Sequence, residues 1–343
     1  MTPYPLPIQT LYADLVQRRL DAEFDKQFDP RGSFILKEVK GRHYWYYQRR
    51  IGRRVRTLYV GPQSDSAIQD RVQAFGRAKA DTRQCREIVR ALLAAGLHAP
   101  DPVSGHLLEV LANAGFFRLR GVLVGTLAYQ NYPGLIGTRL PAALLMTQDA
   151  DLAQFYDVSH AVGESLPPMI ELLHSVDPTF APIADPAAPL HTTRYRSASG
   201  YAVDFLTPNR GSDDNTGHPS LMPALGGASA TPLRFLDYLI HQTARAVALH
   251  GPGVPIVVPP PERYAIHKLI VATQRNATPT KIDKDIFQAS ALLSAYLPQR
   301  APLVAEAYAD AISRGSSWRK HLTAGKSMLP SDIRSLLEAA VLP

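Results

Sequence analysis

The stretch LLMTQDADLAQF, residues 144–155, places Asp149 and Asp151 two residues apart at the end of an apolar run. On an extended strand, side chains at positions i and i+2 share one face, so both carboxylates would point the same way, about 7 Å apart. A divalent cation between them would remove their repulsion, and oxygen ligands of this kind suit Mg²⁺ or Mn²⁺. The alternative is a strand end at which either aspartate caps a following helix. The sequence motifs around this stretch are needed to distinguish a metal site from a helix cap.

Positive charge is concentrated in one short segment. The net charge of the 343 residues is +7. The segment from Ser33 to Pro62 holds eight lysines and arginines and one acid, so its own net charge equals that of the whole chain. Such a concentrated patch is more typical of a protein that binds a polyanion than of one whose charge serves only solubility. The residues expected to contact nucleic-acid phosphates are Arg49, Arg50, Arg53, Arg54 and Arg56.

Composition and missing motifs exclude several classes of protein. The length is sufficient for two or three globular domains. The single cysteine, Cys85, excludes an internal disulfide framework and a cysteine-rich zinc site. No G-x-S-x-G, G-x-x-x-x-G-K-[ST] or G-x-G-x-x-G motif is present, which argues against hydrolase, P-loop and Rossmann functions. The N-terminus lacks a basic region followed by an apolar one, and no apolar run approaches about 18 residues, so we expect a cytoplasmic protein that does not span a membrane.

The first hundred residues predict a helix, a small sheet and a second helix. Residues 6–28 carry apolar positions at helical spacing, which the sequence DPRGS interrupts. Over 33–62, β-forming residues run into KG and RIGR turns, which predicts a basic three-stranded antiparallel meander. Residues 64–96 open with a Ser/Asp cap and end at a glycine, which predicts one long helix. Residues 1–100 are the predicted first domain.

Residues 101–260 are the predicted central domain. Its predicted elements are helices over 102–114 and 126–132, strands over 116–125 and 142–152, a hairpin over 192–208, and short strands over 235–240, 244–250 and 254–259. Residues 208–232 are rich in Gly, Ser, Pro, Asn and Asp and predict a long mobile loop, a type of segment that often forms a lid near a site. Helical patterns predict a C-terminal domain over 261–343.

Three short motifs follow one another in the central domain. They are VGT at 124–126, DADL at 149–152 and VDFL at 203–206. This order resembles the nucleotidyltransferase fold, in which a glycine and a small residue precede a helix, an Asp-x-Asp strand follows, and a later strand carries a third carboxylate. GRHYWY and VVPPPERYAIHKLIV extend the likeness, over nearly the whole chain, to a bacterial family typified by a Geobacter nucleotidyltransferase-like protein. Thr126 replaces the commoner serine, and the spacer from Thr126 to Asp149 is longer than usual.

The resemblance implies an α+β fold and a metal site. The fold would be a mixed β-sheet nucleotidyltransferase core, flanked by an N-terminal domain of helices and antiparallel meander and by a C-terminal helical bundle. The implied catalytic residues and metal ligands are Asp149, Asp151 and Asp204, holding two Mg²⁺ or Mn²⁺ ions. Asp204 would also orient the attacking hydroxyl or act as its base.

The resemblance also implies a site for the triphosphate. The residues expected to bind nucleotide are Gly125, Thr126, Lys268, Lys281 and Lys284. A small residue at a strand-to-helix turn lets backbone N–H groups approach a phosphate. Matched to the family's HKL motif, Lys268 would reach the β- and γ-phosphates as a point charge. Asp285 is expected to orient one of the lysines.

These features together predict a nucleotidyltransferase of the EC 2.7.7 type. It would move a nucleoside monophosphate from an NTP to a hydroxyl and release pyrophosphate. The basic meander favours an RNA 3′ end as acceptor, with a protein or a small molecule as the other possibilities. The alternative is a nucleic-acid-binding protein, or a toxin-like scaffold with an inactive nucleotidyltransferase fold. The run Tyr44, Trp45, Tyr46 and Tyr47 would then stack on bases, although packing in a core explains these aromatic residues equally well.

Overall fold

The fold mixes α-helices with a three-stranded, a seven-stranded and a two-stranded sheet. A computed structural model describes residues 1–21, 32–39, 42–51, 54–141, 147–161, 163–184, 188, 191–210, 218–274 and 279–341. The helices are α1 (Leu6–Asp21), α2 (Ser66–Ala94), α3 (Pro102–Ala114), α4 (Gly125–Tyr129), α5 (Tyr132–Ile136), α6 (Tyr156–Ala161), α7 (Met169–Val176), α8 (Leu236–His241), α9 (Pro261–Ala272), α10 (Pro279–Ser313), α11 (Ser316–Ser327) and α12 (Ser331–Val341). The strands are β1 (Ser33–Val39), β2 (Arg42–Ile51), β3 (Arg54–Pro62), β4 (Val122–Val124), β5 (Asp149–Ala153), β6 (Ala181–Pro182), β7 (Arg194–Arg196), β8 (Ala202–Pro208), β9 (Ser220–Leu221), β10 (Ser229–Leu233), β11 (Ala244–Ala248) and β12 (Val254–Val258). The predicted α+β class is confirmed.

The seven-stranded sheet is mixed, with a parallel centre. β5 and β8 are parallel neighbours, and β4 lies antiparallel on the outer edge of β5. On the other edge of β8, β7 pairs antiparallel with its first residues and β10 pairs parallel with its last residues. β6 extends β7, and β9 extends β10. Parallel strands need a long crossover, and the chain between β5 and β8 contains α6 and α7.

Alternation along β5 decides where its aspartates point. Ala150 and Leu152 are fully buried, whereas Asp149 is exposed. Because successive side chains of a strand point to opposite faces, Asp149 and Asp151 share the face opposite the core. A register slip of one residue would bury both carboxylates among apolar side chains, at a cost of several kcal/mol. The apolar residues of the motif thus fix the direction of the polar ones.

Two hydrophobic cores hold the layers together. The main core packs the seven-stranded sheet against the C-terminal helices, with Tyr264 and Leu269 of α9 almost fully buried. A second core joins α1 and α2 to β11, and includes Leu15. The Tyr12 hydroxyl lies 3.1 Å from the Val247 nitrogen and 3.2 Å from its carbonyl oxygen. The N-terminal helices therefore share buried contacts with the central region, and the predicted domain boundaries remain predictions.

The predicted antiparallel meander is present as β1, β2 and β3. Phe34 of β1 and Tyr47 of β2 are directly opposed and pack against Phe75 of α2, with ring centroids 5.0–5.9 Å apart. Tyr47 is buried. This member of the aromatic run is therefore a core residue that fixes the sheet on α2.

Some predicted elements are wrong in type or extent. The strand predicted over 235–240 is wrong, since all but the first of these residues belong to α8. A short apolar run fits a buried strand and a buried helix equally well. The strand predicted over 116–125 is limited to β4, and residues 115–120 form turns. The helix expected to stop before PGLIG is followed by α5, whose first turn accommodates Pro133. The additional helices α6 and α7 have no sequence prediction.

The loop predicted over 208–232 is also partly wrong. Residues 220–233 include β9, a short 3₁₀ helix at Pro223–Leu225, and β10. Gly226 and Gly227 both adopt positive φ between β9 and β10. The glycine-rich composition therefore marks a tight turn within paired strands. Residues 211–217 of this segment, residues 22–28 of the predicted first helix and residues 142–146 of the predicted strand lie outside the described residues.

The C-terminal region is helical, as predicted. α10 is 35 residues long and contains a kink at Arg300, with Pro298 and Pro302 on either side of it. In the sequence, KIDKDIFQASALLSAYL at 281–297 and PLVAEAYADAISRG at 302–315 predict two separate helices, and the two halves of α10 correspond to them. Within the described ranges, no helix combines the length and apolarity that a membrane crossing requires.

Two helical glycines should respond oppositely to alanine. A Cβ atom on Gly325 of α11 would overlap the Leu269 backbone of α9, whereas one on Gly76 of α2 would meet open space. We expect Gly325→Ala to lower the free energy of unfolding by about 1–3 kcal/mol, because α11 must move away from α9. Gly76→Ala should raise it by about 0.5–1 kcal/mol through helix propensity. Urea unfolding of both variants checks this, and a neutral Gly325→Ala would show that the two helices are loosely packed.

Candidate active site

One row of residues crosses four strands of the seven-stranded sheet. Asp151 of β5 is paired in register with Val124 of β4 and with Asp204 of β8, and Asp204 is paired with Arg194 of β7. Residues paired in this way lie on neighbouring strands about 4.8 Å apart, with side chains on the same face. The tertiary structure therefore places the third carboxylate beside the Asp-x-Asp motif, as the resemblance implied.

The carboxylates perturb one another. Burial, followed by repulsion from Asp149 and Asp204, raises the pKa of Asp151 to about 6, while Lys268 and Arg194 act in the opposite direction. Asp149 is exposed and accepts a hydrogen bond from the Thr147 hydroxyl. Negative charge on Asp151 is thus unfavourable in this setting, and a nearby cation would stabilise it.

The turn at Gly125 requires a glycine. Gly125 has φ +65°, and a Cβ atom there would overlap the Asp151 carboxylate. The Tyr264 hydroxyl of α9 lies 3.0 Å from the Gly125 carbonyl oxygen and 3.0 Å from Gln288 Oε1 of α10. The backbone therefore approaches the carboxylates closely, and two C-terminal helices hold it there. Thr126 follows within α4. Because this helix has only five residues, a phosphate bound here would be held by the turn and not by the N-terminus of a long helix.

Lys268 belongs to a buried ion pair. Its Nζ lies 2.6 Å from Asp285 Oδ1, and both residues are more than 90% buried. The ammonium also sits over the Tyr264 ring, 5.2 Å from its centroid. It is close enough to Asp151 to lower the pKa of that carboxyl. The expectation that Asp285 orients a lysine agrees with this geometry.

The two remaining lysines differ. Lys284 is half-buried, and burial together with Lys268 lowers its pKa, although Asp149, Asp285 and Asp151 oppose the shift. It therefore lies within the field of the site. Lys281 is exposed, three residues earlier on α10, and the described contacts do not bring it to the carboxylates.

Arg194 is the site residue that the sequence reasoning missed. Its Nη2 lies 2.7 Å from Asp204 Oδ2, and its Nε also donates to Asp204 Oδ1. Two parallel hydrogen bonds from guanidinium to carboxylate form a strong, planar pair. The sequence did contain a signal for this pair. The hairpin around SASG fixes the register of its two strands, and this register places Arg194 opposite Asp204.

The carboxylates of the site differ in how well they suit a divalent cation. Asp149 and Asp151 offer oxygen ligands on one face, and the raised pKa of Asp151 reflects a surplus of negative charge that a divalent cation would relieve. Both oxygens of Asp204 already accept hydrogen bonds from Arg194. Within the described residues, no group of three or more carboxylate, imidazole or thiolate side chains is arranged around a point. The residues fit one cation at Asp149 and Asp151, and Asp204 could join only by exchanging its partner.

The arginines of the meander do not form one surface. Arg49 and Arg50 are consecutive on β2, so their side chains point to opposite faces of the sheet. In register, Arg49 is paired with Arg56 and Arg50 with Val55. Arg53 lies outside the described residues, as do the side chains of Arg54 and Arg56. The expected patch is therefore divided between two faces.

The pH dependence of the free energy of unfolding should reveal the penalty of ionising Asp151. Because the folded-state pKa of about 6 exceeds the ordinary value of 3.8, the ionised carboxylate destabilises the fold above pH 6, and this penalty disappears as the pH falls below the ordinary value. We expect Asp151→Asn to raise the free energy of unfolding at pH 8 by about 1–3 kcal/mol, with no gain near pH 3.5.

Urea unfolding between pH 3.5 and 8 measures this difference. The matched control is Asp157→Asn, since Asp157 is an exposed acid on α6. It lies outside the carboxylate row, the name used here for Asp149, Asp151 and Asp204. Its effect on stability should vary little over the same range. Destabilisation of Asp151→Asn at pH 8 would instead show that hydrogen bonds hold the ionised carboxylate.

Comparison with known proteins agrees with this geometry. A family model described as nucleotidyltransferase matches residues 103–313, which include the carboxylate row, the Gly125 turn and Lys268. A domain of unknown function, DUF6788, matches residues 8–70, which include the meander. No curated protein matches the chain. The narrower likeness to the Geobacter-typified family stays a prediction.

One solved structure is similar to this chain. It is an antigenic nucleotidyltransferase-like protein from Paracoccidioides brasiliensis, with 15% identity and a TM-score of 0.32, covering 66% of this chain and 94% of that one. The family assignment rests instead on the sequence match, which spans more than half of the 343 residues. The chain belongs to the nucleotidyltransferase family.

Proposed function

We propose that this protein moves a nucleoside monophosphate from an NTP to a hydroxyl acceptor and releases pyrophosphate, with Mg²⁺ or Mn²⁺ as cofactor. The observation that carries the proposal is the register of β5 and β8, which puts Asp151 beside Asp204 on the face that also holds Asp149. The family assignment supports nucleotidyl transfer in general. The metal requirement, the number of ions, the acceptor and the residue roles are the proposed parts.

Each residue has a role in this proposal. Asp149 and Asp151 would hold the divalent cation, which when bound supplies the positive charge that stabilises the attacking and leaving oxygens. Asp204 would orient the acceptor hydroxyl and accept its proton. Because Gly125 has no side chain, its backbone lies against the Asp151 carboxylate, so a triphosphate held by the cation at Asp149 and Asp151 would lie beside this turn.

Lys268 would contribute a fixed positive charge. The pair with Asp285 and the Tyr264 ring hold its ammonium in place, so the lysine loses little conformational freedom when a triphosphate binds. Replacing it with alanine would remove the ammonium that faces the buried Asp285 carboxylate, at a cost of about 3–5 kcal/mol. Nucleotide binding by such a variant therefore has to be read together with its unfolding curve.

The central experiment is a transfer assay with matched variants. The protein is incubated with each labelled NTP, Mg²⁺ and total cellular RNA or protein, and label in a macromolecule or in pyrophosphate is measured. Asp149→Asn and Asp151→Asn should abolish Mg²⁺-dependent nucleotide binding. Asp204→Asn should retain binding and lose transfer by on the order of 10²–10⁴-fold, because a proton acceptor is removed.

Asp157→Asn is the control for loss of one carboxylate and should transfer normally. If folded Asp149→Asn and Asp151→Asn variants bind and transfer like the unmodified protein, the proposed site is wrong. If no NTP binds and no label is transferred by the unmodified protein, the inactive-scaffold alternative is favoured.

We propose RNA as the acceptor because of the open face of the meander. This name refers to the face of β1–β3 opposite Phe34 and Tyr47, and its described members include Lys37, Tyr44, Tyr46, Gln48 and Arg50. Lys37 lies over the Tyr46 ring, 5.1 Å from its centroid. Aromatic rings between basic residues, in a segment of net charge +7, suit stacked bases and a phosphate backbone.

Salt dependence tests the open face. If it binds single-stranded RNA, Lys37→Gln and Arg50→Gln should each reduce the log–log salt slope by about 0.7. Tyr46→Ala should weaken binding by about 1–3 kcal/mol at every salt concentration. Arg49→Gln, on the opposite face, is the control that should leave the slope unchanged. Equal slopes for all variants, or no RNA binding at low salt, would favour a small-molecule or protein acceptor.

A further inference from the structure

Arg194 is a charged residue of the site that no motif accounts for. It pairs with Asp204 through two hydrogen bonds, one of 2.7 Å between Nη2 and Oδ2 and a second from Nε to Oδ1. The exposed fraction of the side chain is 49% for Arg194 and 13% for Asp204. The guanidinium therefore has a partly buried carboxylate on one side and solvent on the other, where a ligand could approach.

The pair makes the carboxylate row asymmetric. Both oxygens of Asp204 face a guanidinium, whereas Asp149 accepts a hydrogen bond from the neutral hydroxyl of Thr147. A divalent cation at Asp204 would meet the like charge of Arg194 only a few Å away, in a partly buried setting where screening is weak. A cation at Asp149 and Asp151 meets less of this repulsion, because those residues lie one strand further from Arg194.

We propose that Arg194 is an exchangeable counter-ion that couples metal binding at Asp204 to the arrival of the triphosphate. This inference rests on the proposed function. Without nucleotide, the guanidinium neutralises Asp204 and disfavours a divalent cation there. When an NTP arrives with its cation, the guanidinium leaves the carboxylate and pairs with triphosphate oxygens, which accept the same bidentate geometry. Arg194 is thus a triphosphate-binding and positioning residue.

The first measurement is Mn²⁺ affinity in the absence of nucleotide, by calorimetry or by the electron paramagnetic resonance signal of free Mn²⁺. Arg194→Gln should tighten Mn²⁺ binding about tenfold, because Asp204 is released. The gain should disappear in the double variant Arg194→Gln, Asp204→Asn. Arg196→Gln is the control, because it removes the same charge from β7 but is paired in register with Ala202.

The second measurement is the effect of nucleotide on Mn²⁺ affinity. A non-hydrolysable NTP analogue should tighten Mn²⁺ binding to the unmodified protein much more than to Arg194→Gln. The affinity for the analogue with Mn²⁺ should fall about tenfold in Arg194→Gln, because a charge-assisted bidentate contact is lost. Arg194→Lys keeps the positive charge but lacks the bidentate geometry of the guanidinium. Its affinity for the analogue should therefore lie between those of the unmodified protein and Arg194→Gln. An unfolding curve for each variant shows whether the fold is intact.

The outcomes separate this inference from the proposed function. If Arg194→Gln or, should that variant not fold, Arg194→Lys leaves both Mn²⁺ and nucleotide affinity unchanged while the unmodified protein transfers nucleotides, the exchange is refuted and the function stands. Equal effects of Arg196→Gln and Arg194→Gln would show a general charge effect and also refute it. If the unmodified protein binds neither Mn²⁺ nor NTP, the proposed function and this inference fail together.

Discussion

Mutual repulsion among Asp149, Asp151 and Asp204 is the constraint to which the rest of the site responds. Parallel pairing of β5 with β8 makes Asp151 and Asp204 neighbours, and strand alternation adds Asp149 to the same face. Burial of the Asp151 carboxyl, followed by repulsion from its two neighbours, raises its pKa to about 6. Lys268 and Arg194 partly offset this rise.

The C-terminal helices position Lys268, one of the two basic residues that partly offset this repulsion. α9 carries both Lys268 and Tyr264, and α10 carries Asp285 and Gln288, which hold them in place. Tyr264 also reaches the carbonyl oxygen of Gly125, so the turn beside the carboxylates is anchored from the same helix that provides the positive charge. The family match, which runs from α3 to the end of α10, agrees with a site built jointly by the sheet and these helices.

The meander is tied to the rest of the fold through α2. α2 has 29 residues and is therefore about 43 Å long. Phe75, nearer its start, packs under the meander, while Leu92, near its end, lies in the core shared with α1 and β11. α2 therefore connects the meander to the core that α1 and α2 share with β11.

The sequence by itself determined the elements whose patterns are local: the meander, the long helix α2, the hairpin of β7 and β8, and the identity of Asp149, Asp151 and Asp204 as a set. It could not decide whether residues 236–241 were strand or helix, because a short buried apolar run satisfies both periods. It also could not show that consecutive arginines on β2 would divide between two faces of a sheet, or that Lys268 would be buried against Asp285, 17 residues away. Only the tertiary structure decided that the pair of Arg194 and Asp204 would lie beside Asp151, because that placement depends on the parallel pairing of β5 with β8, which no short stretch of residues encodes.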